Sequence, residues 1–135
     1  MTVARAWSAA LVGLEALPVV VEAALGSGLP GLTVVGLPDA AVRESRERIR
    51  TALRHIGLPL PGRNLVVNLA PADLPKSGTG FDLAVAMAIL VATGDVPAEG
   101  LDGLTLVGEL ALDGEIRPVP GVLSIAESSR ADGRR

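Results

Sequence analysis

The sequence has no cysteine, and its one histidine is His55. Disulfide bonds, thiolate metal sites, cysteine nucleophiles and histidine-rich metal sites are therefore excluded within this chain. Aromatic residues are almost as scarce, since Trp7 and Phe81 are the only two. Apolar residues nevertheless make up 49% of the 135 residues. The hydrophobic core is therefore predicted to consist of Val, Leu, Ile and Ala packed around very few rings.

Long hydrophobic runs and a strong net charge are also missing. The longest apolar run, residues 83–92, would form a helix of about 15 Å, which is too short to span a bilayer. The first residues do not have the pattern of a signal peptide, so we expect a cytoplasmic protein without a membrane partner. The formal net charge of −3 gives nucleic acid no overall attraction. Seven of the twelve basic residues, however, lie between Arg43 and Lys76.

The pattern of apolar residues predicts an α+β protein with a mixed sheet in a single domain. Alternation with a period of two predicts strands, and apolar residues three and four apart predict helices. A short turn near Glu15 is expected to join the first two strands. The predicted strands cover residues 3–14, 17–31, 32–38 and 64–71, the predicted helices cover residues 39–57, 81–94 and 122–133, and a hairpin over residues 104–121 is predicted to turn at Asp113-Gly114.

Residues 39–57 give the clearest helix signal. Asp39 is the predicted N-cap, and Gly57 is the predicted C-terminal stop. Four apolar residues at helical spacing predict a buried stripe: Val42, Ile49, Leu53 and Ile56.

The charged side of this helix carries five arginines: Arg43, Arg46, Arg48, Arg50 and Arg54. Two interpretations of this face remain open. It is either a solvated or inter-subunit face with the i,i+4 ion pairs Arg43–Glu47 and Glu44–Arg48, or a contact to the phosphate backbone of DNA. The acidic overall charge and the scarcity of aromatic residues speak against DNA contact.

A glycine-rich loop runs directly into the second predicted helix, with the sequence PKSGTGFDLAVAMAIL at residues 75–90. Thr79 followed by Asp82 has the spacing of a capping box, which indicates a structural entry to a buried helix. A second interpretation is an anion site formed by Lys76, Gly78, Thr79 and Gly80, although the lysine precedes the glycines and Asp82 would repel an anion. A third is hydrolysis by Ser77 or Thr79 with Lys76 as the base.

Three blocks in order carry a family resemblance: GLPGLTVVGLPDAAVRESRERIRTALRHIG, VVNLAPADLPKSGTGFDLAVAMAIL and LVGELALDGEIRPVPGVL. With these blocks the chain resembles the N-terminal domain of ComM/YifB-type proteins, which are Mg-chelatase-related AAA+ ATPases. The resemblance implies a Lon-protease-like fold, a two-layer α/β domain, over residues 1–135. It also implies that these residues are the N-terminal piece of a longer protein.

The Lon-type peptidases within this fold use a serine and a lysine. Their loop reads P-K-D-G-P-S-A-G, and their lysine follows a P-x-G-G-L segment. In this sequence the position of the serine falls on Gly80, and the position of the lysine falls on Leu123. The resemblance therefore implies that the catalytic dyad is missing, and we expect this chain to have no enzymatic activity, no cofactor and no metal of its own.

The resemblance places most of the expected function in the intact protein. It implies that ATP and Mg²⁺ bind outside this chain, that the intact protein forms a homo-oligomeric ring, and that it remodels or translocates DNA in natural transformation. Self-association is expected at the free edge of the hairpin over residues 3–25. Two alternatives stay open: a motor subunit of a magnesium-chelatase-type complex, and a divergent Ser/Thr–Lys peptidase.

Overall fold

Strands and helices follow one another in the order that the apolar pattern predicts. The computed structural model describes residues 3–135. The elements in chain order are β1 (Val3–Val12), β2 (Glu15–Leu25), β3 (Gly31–Val35), α1 (Ala40–His55), β4 (Asn64–Ala70), α2 (Asp82–Ala92), a 3-10 helix (Ala98–Leu101), β5 (Glu109–Leu110), β6 (Ile116–Arg117) and α3 (Val122–Ala131). The predicted helices over residues 81–94 and 122–133 are confirmed with slightly shorter bounds.

The main sheet has the strand order β1-β2-β4-β3. β2 is antiparallel to β1 and to β4, whereas β3 and β4 are parallel, so the predicted mixed sheet is confirmed. A parallel pair needs a crossover connection, and α1 provides it between β3 and β4. β1 and β2 form a hairpin in which Val12 pairs with Glu15. The turn therefore lies at Gly13-Leu14, and Glu15 begins the next strand.

One face of this sheet carries the core. The period-two pattern turns alternate residues of each strand inward, and α1 and α2 pack against that face, with α2 over β1 and β2. As predicted, the core is aliphatic and contains a single ring. Its fully buried members include Val19, Val21, Ala23, Ile49, Leu65, Val67, Leu69, Val85 and Ile89, with Phe81 as the ring.

α1 has the ends that its sequence predicts. The Asp39 carboxylate accepts a hydrogen bond from the Val42 N–H at 2.8 Å, and Gly57 takes a left-handed conformation with φ +86° just beyond the helix. Ile56 is 52% exposed, so the predicted buried stripe is wrong at its last member. The physical reason is that Ile56 is the C-cap residue and no longer has helical geometry.

The second hairpin, β5 and β6, is shorter and has a longer turn than the sequence predicts. Each strand has two residues, and the Ala111 N–H donates to the Glu115 carbonyl at 2.9 Å. Three residues, 112–114, therefore form the turn. Gly114 has φ +92°, which is the left-handed residue that ends a three-residue hairpin loop. The predicted two-residue turn at Asp113-Gly114 is wrong for this reason.

The outer edge of β1 is covered at its middle. The Leu106 N–H donates to the Trp7 carbonyl at 2.8 Å, and Thr105 pairs with Trp7 in a parallel bridge. The Arg134 guanidinium lies over the Trp7 ring, 4.2 Å from its centroid. The prediction that this hairpin has a free edge is therefore wrong at Trp7, because the Leu106 N–H already occupies its outward carbonyl.

Candidate functional site

The loop between β4 and α2 is held by the segment that precedes α1. The Lys76 N–H donates to the Leu37 carbonyl at 3.0 Å, and the Asp39 N–H donates to the Lys76 carbonyl at 2.9 Å. Just before this segment, Gly36 lies against Leu69 of β4, and a Cβ at its φ of +109° would overlap the Leu69 carbonyl oxygen. Backbone hydrogen bonds therefore hold the loop against the segment before α1.

The side chain of Lys76 has no solvent-accessible surface. Its Nζ donates to the Pro71 carbonyl. Burial lowers the pKa of Lys76 below its ordinary value, and the negative charge of Asp73 opposes that shift. The structure therefore does not bring Lys76 to Ser77 or Thr79 as a base. The Thr79 hydroxyl instead donates to the Glu109 carboxylate at 3.3 Å.

A cavity of about 330 Å³ lies where the Lon-like resemblance places a peptidase site. We call it the junction cavity. Its lining residues are Ala9, Ala10, Leu11, Ser77, Gly78, Thr79, Gly80, Phe81, Val107, Val119, Pro120 and Ile125. The hydroxyl groups of Ser77 and Thr79 are the polar side-chain groups among these lining residues, and the other residues are apolar or glycine.

Gly80 lines the junction cavity, and space alone does not require a glycine there. A Cβ at Gly80 would lie 3.7 Å from the nearest Val119 atom, which is an ordinary van der Waals contact. Leu123 lies in the first turn of α3, is 73% exposed and is not among the lining residues. Of the two dyad positions that the resemblance identifies, the structure therefore brings only Gly80 to the cavity.

Asp82 does not form the predicted capping box. The N-cap of α2 is Phe81, and no side chain caps the helix. Asp82 is 1% exposed, and its carboxylate accepts two hydrogen bonds from Arg48, at 2.7 and 3.0 Å, and a third from the Leu110 N–H at 3.0 Å. The hydrogen bonds to Asp82 raise the pKa of Arg48 above its ordinary value, despite partial burial. This pair joins α1, α2 and β5.

The anion site expected at Lys76, Gly78, Thr79 and Gly80 receives little support from this geometry. The Lys76 amine is buried elsewhere, and two N–H groups at the start of α2 are already used. The Asp82 N–H donates to the Thr79 carbonyl at 3.3 Å, and the Leu83 N–H donates to the Gly108 carbonyl at 3.1 Å. The Asp82 carboxylate also places negative charge in the first turn.

The five arginines of α1 have different environments. Arg48 is removed from the candidate DNA-contacting set, because both donor sides of its guanidinium face Asp82 and the Ala41 carbonyl. The other four guanidinium groups lie at the surface or partly exposed. Arg43 donates to the Pro38 carbonyl, Arg46 donates to the Arg43 carbonyl, Arg50 pairs with Glu47, and Arg54 makes no side-chain hydrogen bond to another residue within 3–135.

The expected i,i+4 ion pairs Arg43–Glu47 and Glu44–Arg48 do not form. Arg48 turns inward to Asp82, and Glu47 pairs with Arg50, three residues on, at 2.9 Å. Sequence analysis missed the Arg48–Asp82 pair. The signal that could have revealed it is a single carboxylate, Asp82, at the start of an otherwise apolar helix.

Features of a metal site or a membrane segment are not found in the part of the chain that the structure describes. Within residues 3–135, no three histidine or acidic side chains come close enough to hold a metal ion. Over the same residues, no helix combines the length and the apolarity needed to cross a bilayer.

Comparison with known proteins identifies one matching family and several close relatives. The family described as "Subunit ChlI of Mg-chelatase" matches residues 21–135. A protein named YifB from Escherichia coli is 47% identical over 126 residues, covering 93% of this chain and 25% of that protein. The competence protein ComM of Haemophilus influenzae is 44% identical over 123 residues, covering 91% of this chain and 24% of that protein.

A more distant similarity supports the fold. A Lon protease of Salinispora arenicola is 32% identical over 111 residues, covering 76% of this chain and 14% of that protease. The mixed sheet, with α1 and α2 packed against its core face, agrees with this similarity. The chain spans about a quarter of the length of the curated relatives named YifB and ComM.

Proposed function

This chain belongs to the ComM/YifB-type family of Mg-chelatase-related proteins, and on that premise we propose that it is a non-catalytic accessory and assembly module of an AAA+ ATPase. In this proposal ATP and Mg²⁺ bind to the rest of the intact protein. The intact protein is a cytoplasmic ring of identical subunits that remodels branched DNA. Because one relative is named a competence protein, natural transformation is the proposed process.

The observation that supports a non-catalytic role is the chemistry of the junction cavity. Gly80 brings no functional group to it, and the Lys76 amine is bonded to a backbone carbonyl outside it. The Thr79 hydroxyl has a carboxylate as its partner, and a carboxylate is a weak base for activating a hydroxyl. Ser77 and Thr79 therefore lack an amine or imidazole that could take their proton.

A peptidase assay tests this part of the proposal. The chain is incubated with a fluorogenic peptide library and with unfolded casein, and we expect no turnover above that of a boiled sample. The variants Ser77→Ala, Thr79→Ala and Lys76→Ala each remove one group of the divergent peptidase. Turnover that is lost in any of them would overturn the non-catalytic role and favour that peptidase.

A deletion in the intact protein tests the accessory role. We compare the intact protein with a form that lacks residues 1–135, and we measure ATP hydrolysis, oligomeric mass and the processing of a labelled four-way DNA junction. We expect ATP hydrolysis to continue, while ring formation or junction processing falls by at least about tenfold. Equal junction processing by both forms would reject the proposal.

The exposed arginines of α1, namely Arg43, Arg46, Arg50 and Arg54, supply the proposed contact to the DNA backbone. A salt titration of the chain with branched DNA tests this contact, because phosphate neutralisation makes affinity fall steeply with salt. No binding at low salt would reject it. The description of the matching family favours one alternative, a chelatase motor subunit. Magnesium insertion into a porphyrin that depends on the intact protein would support that alternative.

A further inference from the structure

A second cavity of about 330 Å³ lies between the C-terminal half of α1 and the loop over residues 59–63. We call it the arginine pocket. Its lining residues are Pro30, Gly31, Arg50, Arg54, Pro59, Leu60, Pro61, Gly62, Arg63 and Leu65. Three of these residues are arginines, and none is an aspartate or a glutamate. The pocket is therefore lined by positive charge from two separate parts of the chain.

Most donors of these three guanidinium groups are unused. Arg63 is oriented by one hydrogen bond, from its Nε to the Gly26 carbonyl at 3.0 Å. Arg50 donates to Glu47 at 2.9 Å, and the Arg54 side chain donates to no other residue within 3–135. Since each guanidinium has five N–H donors, the group as a whole keeps most of its capacity for an anion.

Two nearby features would oppose an anion, and both are weak. The C-terminal end of a helix carries partial negative charge, but at the end of α1 the Gly57 N–H satisfies the Arg54 carbonyl at 3.1 Å and the Leu58 N–H satisfies the Leu53 carbonyl at 2.8 Å. The Glu47 carboxylate is 73% exposed, so water and salt screen its charge. The charged side chains that line the pocket are therefore all positive.

We infer that the arginine pocket binds a phosphate ester. Planar guanidinium groups match the oxygens of a phosphate in a two-point fashion, which a lysine amine does not. The proline rings of Pro30, Pro59 and Pro61 give the pocket an apolar wall for the sugar or base that the phosphate carries. The volume is at the lower end for small-ligand pockets, which fits one nucleotide unit. That unit comes from a nucleic-acid strand or from a free nucleotide, and only the first source rests on the proposed function.

The test compares two double variants with the same change in net charge. Arg54→Gln with Arg63→Gln removes two arginines from the pocket, and Arg117→Gln with Arg130→Gln removes two exposed arginines that lie elsewhere on the surface. Each protein is titrated at 50 mM salt with a labelled single-stranded 20-mer, with adenosine monophosphate and with inorganic phosphate. Arg63 also makes a hydrogen bond to the backbone, so its replacement could disturb the loop. The comparison is therefore repeated with two single variants that keep Arg63, namely Arg54→Gln and Arg117→Gln.

We expect the pocket variants to lose at least about tenfold in affinity for the 20-mer or for adenosine monophosphate, and the surface variants to lose less than about threefold. For the strand, the slope of log affinity against log salt should also become shallower by about 0.7 in the pocket double variant, since the contact to the one phosphate in the pocket is lost. If the pocket variants lose affinity for the 20-mer alone, the ligand of the pocket is a nucleic-acid strand. If they lose affinity for adenosine monophosphate, the ligand is a free nucleotide. Equal losses in both double variants, or no binding of any of the three ligands, would overturn the inference. If the strand binds with no dependence on Arg54 or Arg63, the pocket inference fails, and the proposed DNA contact is left to Arg43, Arg46 and Arg50.

Discussion

Replacing Arg48 by methionine removes one half of a buried ion pair and leaves the other half in place. Asp82 would remain 1% exposed, with the Leu110 N–H as its remaining hydrogen-bond donor among those in the structure. Removing one partner of a buried pair costs about 3–5 kcal/mol, because the other charge is left uncompensated. The Arg48 side chain is 18% exposed, which favours the lower end of this range. We therefore expect the free energy of unfolding to fall by about 3 kcal/mol.

The measurement is the free energy of unfolding from urea titrations followed by circular dichroism at pH 7. A loss of about 3 kcal/mol should lower the melting temperature by roughly 10 °C in a domain of this size. The matched control is Arg50→Met on the same helix. Its ion pair with Glu47 is exposed, so we expect a loss below about 0.5 kcal/mol.

A double-mutant cycle isolates the pair itself. Asp82→Asn keeps an acceptor for the Leu110 N–H and removes the charge, so the double variant with Arg48→Met contains no uncompensated carboxylate. We expect the double variant to be more stable than additivity of the two single losses predicts, by at least about 1 kcal/mol. Additive losses, or equal losses in Arg48→Met and Arg50→Met, would refute the reasoning that this pair is buried and mutually dependent.

Three further predictions concern the loops. Burial lowers the pKa of Lys76. The unfolded chain, in which the pKa of a lysine is about 10.4, therefore binds more protons than the folded chain as the pH approaches that value. The free energy of unfolding should consequently rise from pH 8 to pH 10. The chain has no other lysine, no tyrosine and no cysteine, so Lys76→Met should abolish this rise; a rise that persists would contradict the assignment. Gly36→Ala should lower the free energy of unfolding in urea titrations by more than about 3 kcal/mol, because its Cβ would overlap the Leu69 carbonyl. Gly78 has φ +84°, and a Cβ there would meet no atom within 4 Å, so Gly78→Ala should lower the free energy of unfolding by about 1 kcal/mol. Gly80→Ser should change the melting temperature by less than about 3 °C, since its side chain has space; a larger drop would mean that the junction cavity is tighter than described.

The sequence allows prediction of features that depend on local spacing. The alternation in β2 and β4 predicts two inward-facing rows of apolar residues. Six of their members are buried, namely Val19, Val21, Ala23, Leu65, Val67 and Leu69, whereas Leu25 at the end of β2 is only partly buried. The caps of α1 were predictable for the same reason, since Asp39 and Gly57 act within one turn of the helix. Period and capping are short-range properties, and one sequence is enough to identify them.

Features that depend on distant partners were not predictable in this way. Arg48 and Asp82 are 34 residues apart, and only the packing of α1 on α2 brings them together. Lys76 reads as a surface cation in the sequence, yet the loop turns its side chain toward the Pro71 carbonyl. The arginine pocket likewise needs Arg63, which lies nine residues after Arg54 in the chain and lines the same cavity because the loop returns to β4.

The stacking of Arg134 over Trp7 has a spectroscopic consequence. Trp7 is the single tryptophan of a chain that has no tyrosine, so one indole dominates its intrinsic fluorescence when it is excited at 295 nm. That indole lies on β1 beneath the segment that follows α3, with the guanidinium 4.2 Å from the ring centroid. Its emission therefore reports detachment of the last residues from the sheet. Circular dichroism reports loss of the helices, so the two signals distinguish fraying of this segment from unfolding of the whole domain.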